Sequence, residues 1–383
     1  MLDTVILKIP EGYYTVMDKQ KFTPHYSNLE NSTGSFMKAT NNTQKEKCRI
    51  TAEKRTLRSG KLETTLKLEF SVPKLLYGNN LQEIDENHIE LIIDKLSETL
   101  RNADVLIFSN LLEKAPVSSF HVGKNITLSD GYTSSFVINE LSKIDMTKKL
   151  DLTKTTFMNG GQSLQYYSGS HSMVFYDKVA DMMKPPARAI DKSLPREIPW
   201  NFNKNAEILR MEVRLCNKRK MNSVLKKIGQ QEDPIFRDLF SQNLWQDVLM
   251  YYWKTLINER NLFIFDLSDS PTSLLMRIKR ANPKIKQKQA LSLLSLNLLI
   301  KEKGARATRD RLEELFPSLV WSRIKQDLKL FDHPEFNNLN HLHGFISDIE
   351  KAIFNKTVTP LFVKKSKVQY IYDQFGLNFP KHK

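Results

Sequence analysis

The stretch that decides the fold is Gln165–Lys178, QYYSGSHSMVFYDK, in which a turn leads into a strand. Gly169 and its small polar neighbours predict the turn, and the apolar run Met173–Tyr176 has the composition of a strand. The strand ends in a tyrosine beside an aspartate, Tyr176 and Asp177, with a lysine next. A phenol beside a carboxylate at a strand end is consistent with a packed ring and a solvated neighbour, or with a nucleophile next to a metal ligand.

A second strand downstream is Leu209–Leu215, LRMEVRL, which alternates between polar and apolar residues. Because successive side chains of a strand point to opposite faces, Arg210, Glu212 and Arg214 are predicted to share one face. Further strands are predicted at Thr4–Ile9, Cys48–Arg55, Leu62–Phe70, Val117–Leu128 and Ser163–Tyr167. A helix is predicted from His88 to Leu100, since its apolar residues recur at i, i+3, i+4 and i+7.

The second half of the chain has a helical pattern. Apolar residues at helical spacing predict a helix that starts at Pro234. Further helices are predicted at Gln289–Lys303, Ala307–Leu315 and Leu319–Leu330. The last two are consistent with a helix-turn-helix or with an ordinary helix pair. The sequence therefore predicts an α+β fold, with an antiparallel sheet and flanking helices in residues 1–220 and a mostly helical domain in residues 221–383.

The composition favours a polyanionic partner. The 383-residue chain carries 58 Lys and Arg against 43 Asp and Glu, a formal net charge of +15, and phosphate contacts made by Lys and Arg release condensed counterions. An anionic membrane is the competing explanation, but the sequence has no separate basic amphipathic helix, and its longest apolar segment is too short to span a bilayer. Two cysteines in no paired motif and an N-terminus without a secretory signal predict a soluble, cytoplasmic protein.

Basic residues are concentrated in the predicted hairpin Cys48–Phe70 and again in the second half. Residues 271–330 contain 14 Lys and Arg against 5 Asp and Glu. Six of these cations lie in one short stretch: Arg277, Lys279, Arg280, Lys284, Lys286 and Lys288. A charge run is usually a solvated face, but this density also favours contacts with DNA phosphates.

Four side chains on or beside predicted strands are able to ligate metal ions: Asp3, His121, Asp177 and Glu212. Oxygen ligands with one imidazole suit Mg²⁺ or Mn²⁺ better than zinc. A phosphodiester is a poor electrophile until its charge is offset, so a metal beside a nucleophile is a chemically sensible pair. A tyrosine has an ordinary pKa of about 10, and a neighbouring cation such as Lys178 favours its phenolate. The spacing of these residues is equally consistent with a metal site and with side chains that are simply packed or solvated.

Four segments, DTVILKIP, EFSVPKLLYGNNLQEI, QYYSGSHSMVFYDK and LRMEVRL, occur in this order between Asp3 and Leu215. In combination they resemble segments of the replication initiators of filamentous phages, and they are spread over the predicted first domain. That family, with related plasmid rolling-circle proteins, is similar to endonucleases that cut one DNA strand and stay joined to its 5′ end through a tyrosine.

Carried over by motif, the resemblance implies that Tyr176 is the nicking tyrosine, assisted by Lys178. It implies that Asp177 and Glu212, the acid of the R-x-E-x-R strand, hold a divalent metal, Mg²⁺ or Mn²⁺. His121 stands where the family has an aspartate, and no arginine precedes it. An imidazole would there replace a carboxylate as ligand.

Other assignments within this resemblance stay open. Tyr166 and Tyr167 are rival nucleophiles, because they also lie beside the glycine turn. Asp3 is a further candidate metal ligand. Arg210 and Arg214 are expected either to steady a scissile phosphate by charge-assisted hydrogen bonds or to pair with neighbouring acids.

The resemblance implies a rolling-circle DNA replication initiator, a metal-dependent nickase that leaves a 5′-phosphotyrosyl link and a free 3′-OH and later rejoins the strand. Its partners would be single-stranded and duplex origin DNA, a host polymerase and a helicase. The alternative is a non-catalytic DNA-binding regulator of replication or transcription, with salt-sensitive DNA binding and no cleavage. An RNA-binding protein would need stacking aromatics on a sheet face, and the sequence indicates no such set.

Overall fold

The fold is that of a computed structural model, which describes residues 1–32, 34–57, 59–60, 62–128, 132–142, 144, 156–158, 162–184, 206–257, 270–317, 321–332 and 340–355. The predicted α+β class is confirmed: an antiparallel sheet with helices occupies the first part of the chain, and helices make up most of the rest. No helix in these ranges is long and apolar enough to cross a membrane.

The strands form where β-favouring residues alternate in polarity. Their bounds are β1 Leu2–Pro10, β2 Thr15–Val16, β3 Phe22–Thr23, β4 Phe36–Asn41, β5 Arg49–Thr56, β6 Leu62–Ser71, β7 Val105–Leu106, β8 Val117–Thr127, β9 Thr156–Met158, β10 Ser163–Tyr167, β11 His171–Asp177 and β12 Ile208–Leu215. Each strand predicted from alternation is present, within a few residues of its predicted ends.

Ten of these strands form one antiparallel sheet in the order β3-β4-β5-β6-β1-β8-β12-β11-β10-β9, and β2 pairs with β7 in a separate ribbon. The first strand of the chain lies in the middle of the sheet, between β6 and β8. This position brings Asp3 close to β12, although 207 residues separate Asp3 from Arg210 in the sequence.

The two faces of the sheet differ because side chains alternate across the pleat. One face, here called the apolar face, carries the buried side chains of the central strands, such as Leu7, Leu68, Phe120, Val213 and Phe175. The other, the polar face, carries charged and hydroxyl side chains. Strand register places Tyr176, Arg210 and Asn125 side by side on that polar face.

The helices are α1 Tyr26–Glu30, α2 Val72–Tyr77, α3 Ile89–Asn102, α4 Ser109–Glu113, α5 Ser134–Ser142, α6 Lys178–Met183, α7 Lys218–Lys227, α8 Gln242–Ile257, α9 Pro271–Ala281, α10 Gln287–Leu315, α11 Trp321–Leu328 and α12 Asn340–Phe354. In α3, isoleucines and leucines at the predicted spacing are buried against the main core. That core also includes apolar residues of α7, α8 and α12, so it contains residues on both sides of position 220. A second, smaller core joins α9, α10 and α11.

The four predicted helices of the second half have different boundaries in the structure. No α-helix starts at Pro234, because the neighbouring Ile235 bridges to Pro116, and the helix begins at Gln242 instead. The predicted helices Gln289–Lys303 and Ala307–Leu315 are two parts of α10, separated by a break at Gly304 (φ 82°, ψ 161°). The predicted helix Leu319–Leu330 is present as α11 from Trp321 onward, and its first two residues lie outside the described ranges. The helix-turn-helix stays a prediction.

Candidate functional site

The candidate site is built from neighbouring side chains of β10, β11, β12 and β8 on the polar face. Adjacent strands are antiparallel, and directly opposed residues lie side by side on one face. Register gives three cross-strand rows: Ser163, Tyr176, Arg210 and Asn125; then Gln165, Val174, Glu212 and Gly123; then Tyr167, Ser172, Arg214 and His121. The candidate nucleophile, acid and arginines of the sequence therefore come together.

Arg210 lies at the centre of this site and is fully buried. Its Nη1 donates a hydrogen bond to Asn125 Oδ1 at 2.9 Å, and its Nη2 donates to the Asp3 carboxylate. Nε lies 4.0 Å from Glu212 Oε2 and has no hydrogen-bond partner among the described residues. The guanidinium is thus held by β1 and β8, and its Nε is the nitrogen left without an acceptor among the described residues.

Asp3 is a buried counter-ion for Arg210. Its other carboxylate oxygen accepts a hydrogen bond from the Ser71 hydroxyl at 3.2 Å. Burial is the largest single influence and raises the pKa of Asp3, but the charges of Arg210 and Lys178 and the hydrogen bond from Arg210 together hold the pKa below its ordinary value. The Asp3 carboxylate is therefore ionised at neutral pH, and both charges of the pair are compensated.

Glu212 is buried between an arginine and a histidine. Arg214 Nε donates to Glu212 Oε1 at 2.8 Å, and His121 Nδ1 lies 3.7 Å from the same oxygen. Burial lowers the pKa of His121, although the Glu212 charge opposes the shift. The imidazole is therefore neutral at pH 7 and able to offer a lone pair, while Arg214, with a side chain 34% exposed, extends from this group toward the surface.

Tyr176 is directly opposite Arg210 on the neighbouring strand. Burial raises the pKa of its phenol well above the ordinary value, and of the charges around it the Arg210 guanidinium lowers the pKa while Glu212 and Asp3 raise it. The buried Lys178 lies with Nζ 5.9 Å from the centre of the Tyr176 ring and donates to Asn80 Oδ1 at 2.7 Å. The phenol is thus protonated at rest and has two cations nearby.

A small apolar cluster closes one end of the site. Leu81, Val179, Met182 and Ile208 pack together there, and Asn125 Nδ2 donates to the Leu81 carbonyl at 3.0 Å. Water is thereby excluded from one side of the Tyr176–Arg210 row, which strengthens electrostatic interactions within it.

Asp177 is separated from the other candidate ligands by the pleat. It follows Tyr176 in β11, so its side chain points to the opposite face from Tyr176 and Glu212. Its carboxylate accepts the Ala180 N–H at 2.8 Å and caps α6. Burial raises the pKa of Asp177, and the cap accounts for the carboxylate without a metal.

The rival tyrosines lie in different surroundings. Tyr166 is buried on the apolar face, and its hydroxyl donates to the Leu141 carbonyl of α5. Tyr167 shares the polar face with Tyr176 but lies opposite Ser172. The Tyr167 row lies four positions along β10 from the Tyr176 row, which corresponds to a distance of about 13 Å. Tyr176 therefore lies on the strand next to Arg210 and Glu212, and neither of the rival tyrosines does.

The carboxylates and the imidazole of the candidate site are arranged differently from the ligands of a divalent cation. In the described part of the chain no three His, Cys, Asp or Glu side chains converge in a way that could hold a metal. Asp3 is bound to Arg210, and Glu212 is bound to Arg214, so a cation at either carboxylate would have to displace a guanidinium. These residues, as arranged, do not fit the predicted Mg²⁺ or Mn²⁺, and we derive no step through a metal.

The predicted DNA-binding residues fall into two groups. Arg210 and Arg214 belong to the candidate site, and the fully buried Arg210 is not part of an exposed basic surface. The other cations lie in the helical unit of α9 and α10. Lys279, Arg280, Lys284, Lys286 and Lys288 are exposed there, and Arg277 is partly exposed.

Comparison with protein-family models, with curated proteins and with solved structures gave no match. The likeness to phage replication initiators therefore rests on the four ordered segments between Asp3 and Leu215.

Sequence reasoning missed three residues of the site: Asn125, which orients Arg210; Asn80, which binds Lys178; and Gly123, which lies beside the Arg210 guanidinium. Asn80 and Gly123 belong to segments that the sequence singled out, YGNN and HVGKN, but no local pattern identifies their partners, which lie 85 or more residues away.

Proposed function

We propose that this protein is a rolling-circle replication initiator that nicks one DNA strand with Tyr176. The observation that carries the proposal is the direct cross-strand pairing of Tyr176 with Arg210 on the polar face, one row from Glu212. In phosphoryl transfer a phenol supplies the nucleophile, a neighbouring carboxylate is able to accept its proton, and a fixed cation offsets the charge on the phosphate. The resemblance of four ordered segments to phage initiators supports the same chemistry.

In the proposed step the Tyr176 oxygen attacks a phosphodiester. A bond forms between that oxygen and phosphorus, and the bond from phosphorus to the 3′-oxygen breaks. Glu212 accepts the phenol proton, and the Lys178 ammonium protonates the leaving 3′-oxygen. The products are a 5′-phosphotyrosyl link and a free 3′-OH for a polymerase to extend, and the reverse attack rejoins the strand. Arg210 offsets the charge that builds up around the attacked phosphate.

A strand-labelling experiment tests the proposal. The protein is incubated with single-stranded oligonucleotides that have a randomised central region and a label at either the 5′ or the 3′ end. Samples with Mg²⁺, Mn²⁺ or a chelator are compared on a denaturing gel. The 3′-labelled fragment should migrate with the protein, because the covalent link is to the 5′ end of the downstream fragment. The 5′-labelled fragment should be released.

Matched tyrosine variants identify the nucleophile. Tyr176→Phe should abolish the adduct, whereas Tyr167→Phe, on the same face, should retain it. Mass spectrometry of the digested adduct should find the nucleotide on Tyr176. A Tyr176→Phe protein that still forms the adduct contradicts the assignment. Retention of nicking in the chelator contradicts the metal dependence implied by the resemblance.

The second candidate function is DNA binding without cleavage. It is favoured by the contacts that engage the carboxylates, since Asp3 and Glu212 are both bound to arginines and the Tyr176 phenol is held in its neutral form by burial. This candidate predicts DNA binding that weakens steeply with salt and no protein–DNA adduct with either label.

A further inference from the structure

Gly123 of β8 lies directly against the Arg210 guanidinium. A Cβ atom added to Gly123 would be 2.7 Å from Nη2, 3.0 Å from Cζ and 3.3 Å from Nε of Arg210. These separations are shorter than ordinary contacts between non-bonded heavy atoms, about 3.5–4.0 Å for carbon pairs. Because three atoms of the planar group are involved, the guanidinium rests on the strand where the side chain is missing.

Space, and not backbone conformation, restricts residue 123 to glycine. Gly123 is not among the residues with positive φ, so its extended backbone is open to any L-amino acid. Gly169, in the turn between β10 and β11, provides the contrast. A Cβ there meets no atom within 4 Å, and its backbone also lacks a positive φ.

Arg210 cannot turn away from an added Cβ without losing its partners. The side chain is fully buried, Nη1 is bonded to Asn125, and Nη2 is bonded to Asp3. A shift away from β8 would break both bonds and leave Asp3 as a buried, uncompensated charge.

The Nε–H of Arg210 points to a ligand from outside these residues. It is buried and lacks an acceptor among the described residues, and it lies on the side of Glu212, 4.0 Å from Oε2. A buried donor without an acceptor is unfavourable. An oxygen of a bound phosphodiester beside Tyr176 would supply the acceptor.

The geometry points to Gly123 as a positioning residue that keeps the Arg210 guanidinium flat against β8, with Nε–H directed at the phosphate attacked by Tyr176. This inference rests on the proposed function and deepens it, because it explains how the central cation is aimed. Gly123 itself touches no reacting atom. It acts through Arg210.

The test compares Gly123→Ala with Gly169→Ala in the full chain, using the same end-labelled oligonucleotides. The single-turnover rate of adduct formation at saturating DNA should fall about 100- to 1000-fold in Gly123→Ala, the range found when one transition-state donor is lost. The Kd for uncleaved DNA, measured in a Tyr176→Phe background, should stay within about twofold, because Arg210 is proposed to stabilise the transition state more than the bound phosphodiester. Gly169→Ala should match the wild type in both the single-turnover rate and the Kd.

Rescue separates positioning from a general loss of structure. Lysine lacks Nη2, the atom closest to the added Cβ, so Arg210→Lys should lower the rate in the wild type but restore part of it in Gly123→Ala. If Gly123→Ala does not fold, recovery of the fold in Gly123→Ala/Arg210→Lys supports the inference and failure overturns it. A wild-type rate in Gly123→Ala, or a parallel fall in affinity, also overturns it. Absence of any adduct with the wild type instead refutes the proposed function.

Discussion

Arg210 is the residue on which the contacts of the candidate site converge. It connects β12 to β1 through Asp3 and to β8 through Asn125. A buried guanidinium is tolerated only while a carboxylate and hydrogen-bond acceptors compensate it. The contacts that hold Arg210 in place for the proposed chemistry therefore also contribute to the stability of the central strands.

Removing the counter-ion should destabilise the fold. Asp3→Ala leaves the Arg210 charge buried and uncompensated, and we expect a loss of about 3–5 kcal/mol in the free energy of unfolding at pH 7. Ser71→Ala, which removes only the weaker hydrogen bond to Asp3, should cost about 1 kcal/mol. Urea unfolding measures both. Asp3→Ala/Arg210→Met should recover part of the loss, and a double variant less stable than Asp3→Ala would contradict the pairing.

The pH dependence of this effect follows from the lowered pKa of Asp3. A carboxyl whose folded pKa lies below its unfolded value of 3.8 stabilises the fold fully above that value, and the stabilisation disappears as the pH falls toward the folded pKa of about 2. The stability difference between wild type and Asp3→Ala should therefore be constant from pH 7 to about pH 5 and should narrow on further acidification. Urea titrations at several pH values check this.

At the scale of elements, a buried hydrogen bond joins β11 of the sheet to α8. His171 lies at the start of β11, and its Nδ1 is 2.6 Å from the Tyr252 hydroxyl of α8. Burial, together with the smaller effects of Lys220 and Lys227 of α7, lowers the pKa of His171 from 6.5 to about 4. The folded protein therefore holds a neutral imidazole at this contact.

This contact should make stability depend on pH between 4 and 6.5. A histidine with a depressed folded pKa takes up its proton more readily in the unfolded chain, so the free energy of unfolding falls as the pH drops through that window. His171→Asn keeps an acceptor but cannot titrate, and it should flatten the dependence in urea unfolding at pH 7 and pH 5. Tyr252→Phe should lower stability by about 1 kcal/mol at pH 7 and keep the slope. If the free energy of unfolding of His171→Asn still fell between pH 6.5 and pH 4 as in the wild type, the pH dependence would not come from His171.

A second element-scale prediction concerns the break in α10. Gly304 has φ 82° and ψ 161°, a conformation that is essentially restricted to glycine. Gly304→Ala should destabilise the α9–α11 unit by about 1–3 kcal/mol, seen as faster amide exchange in α10 and α11. Gly169→Ala is the control, since its Cβ meets nothing within 4 Å. Equal amide exchange rates in the two variants would show that the break at Gly304 is not needed for the stability of the α9–α11 unit.

The sequence predicted these elements unevenly, for physical reasons. Alternation in segments such as Leu209–Leu215 is a local signal, so the strands and the face shared by Arg210, Glu212 and Arg214 were predicted and are present. The pairing of Asp3 with Arg210 is not local, and no pattern near either residue indicates it. Adjacency in sequence even misleads at Asp177, which follows Tyr176 in the chain but lies on the other face.

At the scale of the whole molecule, much of the positive charge lies outside the candidate site, in the helical unit. The candidate site is internally compensated, since Arg210 and Arg214 are paired with Asp3 and Glu212. The exposed Lys284, Lys286 and Lys288 of the helical unit have no acidic partner among the described residues. We therefore expect the helical unit to supply much of the affinity for duplex DNA and the sheet to supply the chemistry.

Charge removal tests this division of roles. Changing Lys284, Lys286 and Lys288 to Gln should weaken duplex binding and reduce the slope of log K against log salt by about 0.9 for each DNA phosphate that is no longer neutralised, up to about 3 in total. Anisotropy titrations over a range of KCl concentrations measure the slope. Adduct formation on short single-stranded oligonucleotides at saturation should be unchanged, because these lysines lie outside the Tyr176 rows.

The control replaces three lysines that already have acidic partners, Lys19, Lys95 and Lys226, which pair with Glu30, Glu98 and Glu232. Both triple variants lower the net charge by the same amount, so a general effect of charge would change the salt slope equally in the two. A larger change in the Lys284/Lys286/Lys288 variant locates the duplex contacts in the helical unit. Equal changes would mean that duplex affinity comes from the overall field of the protein, and the helical unit would then have no special role in DNA binding.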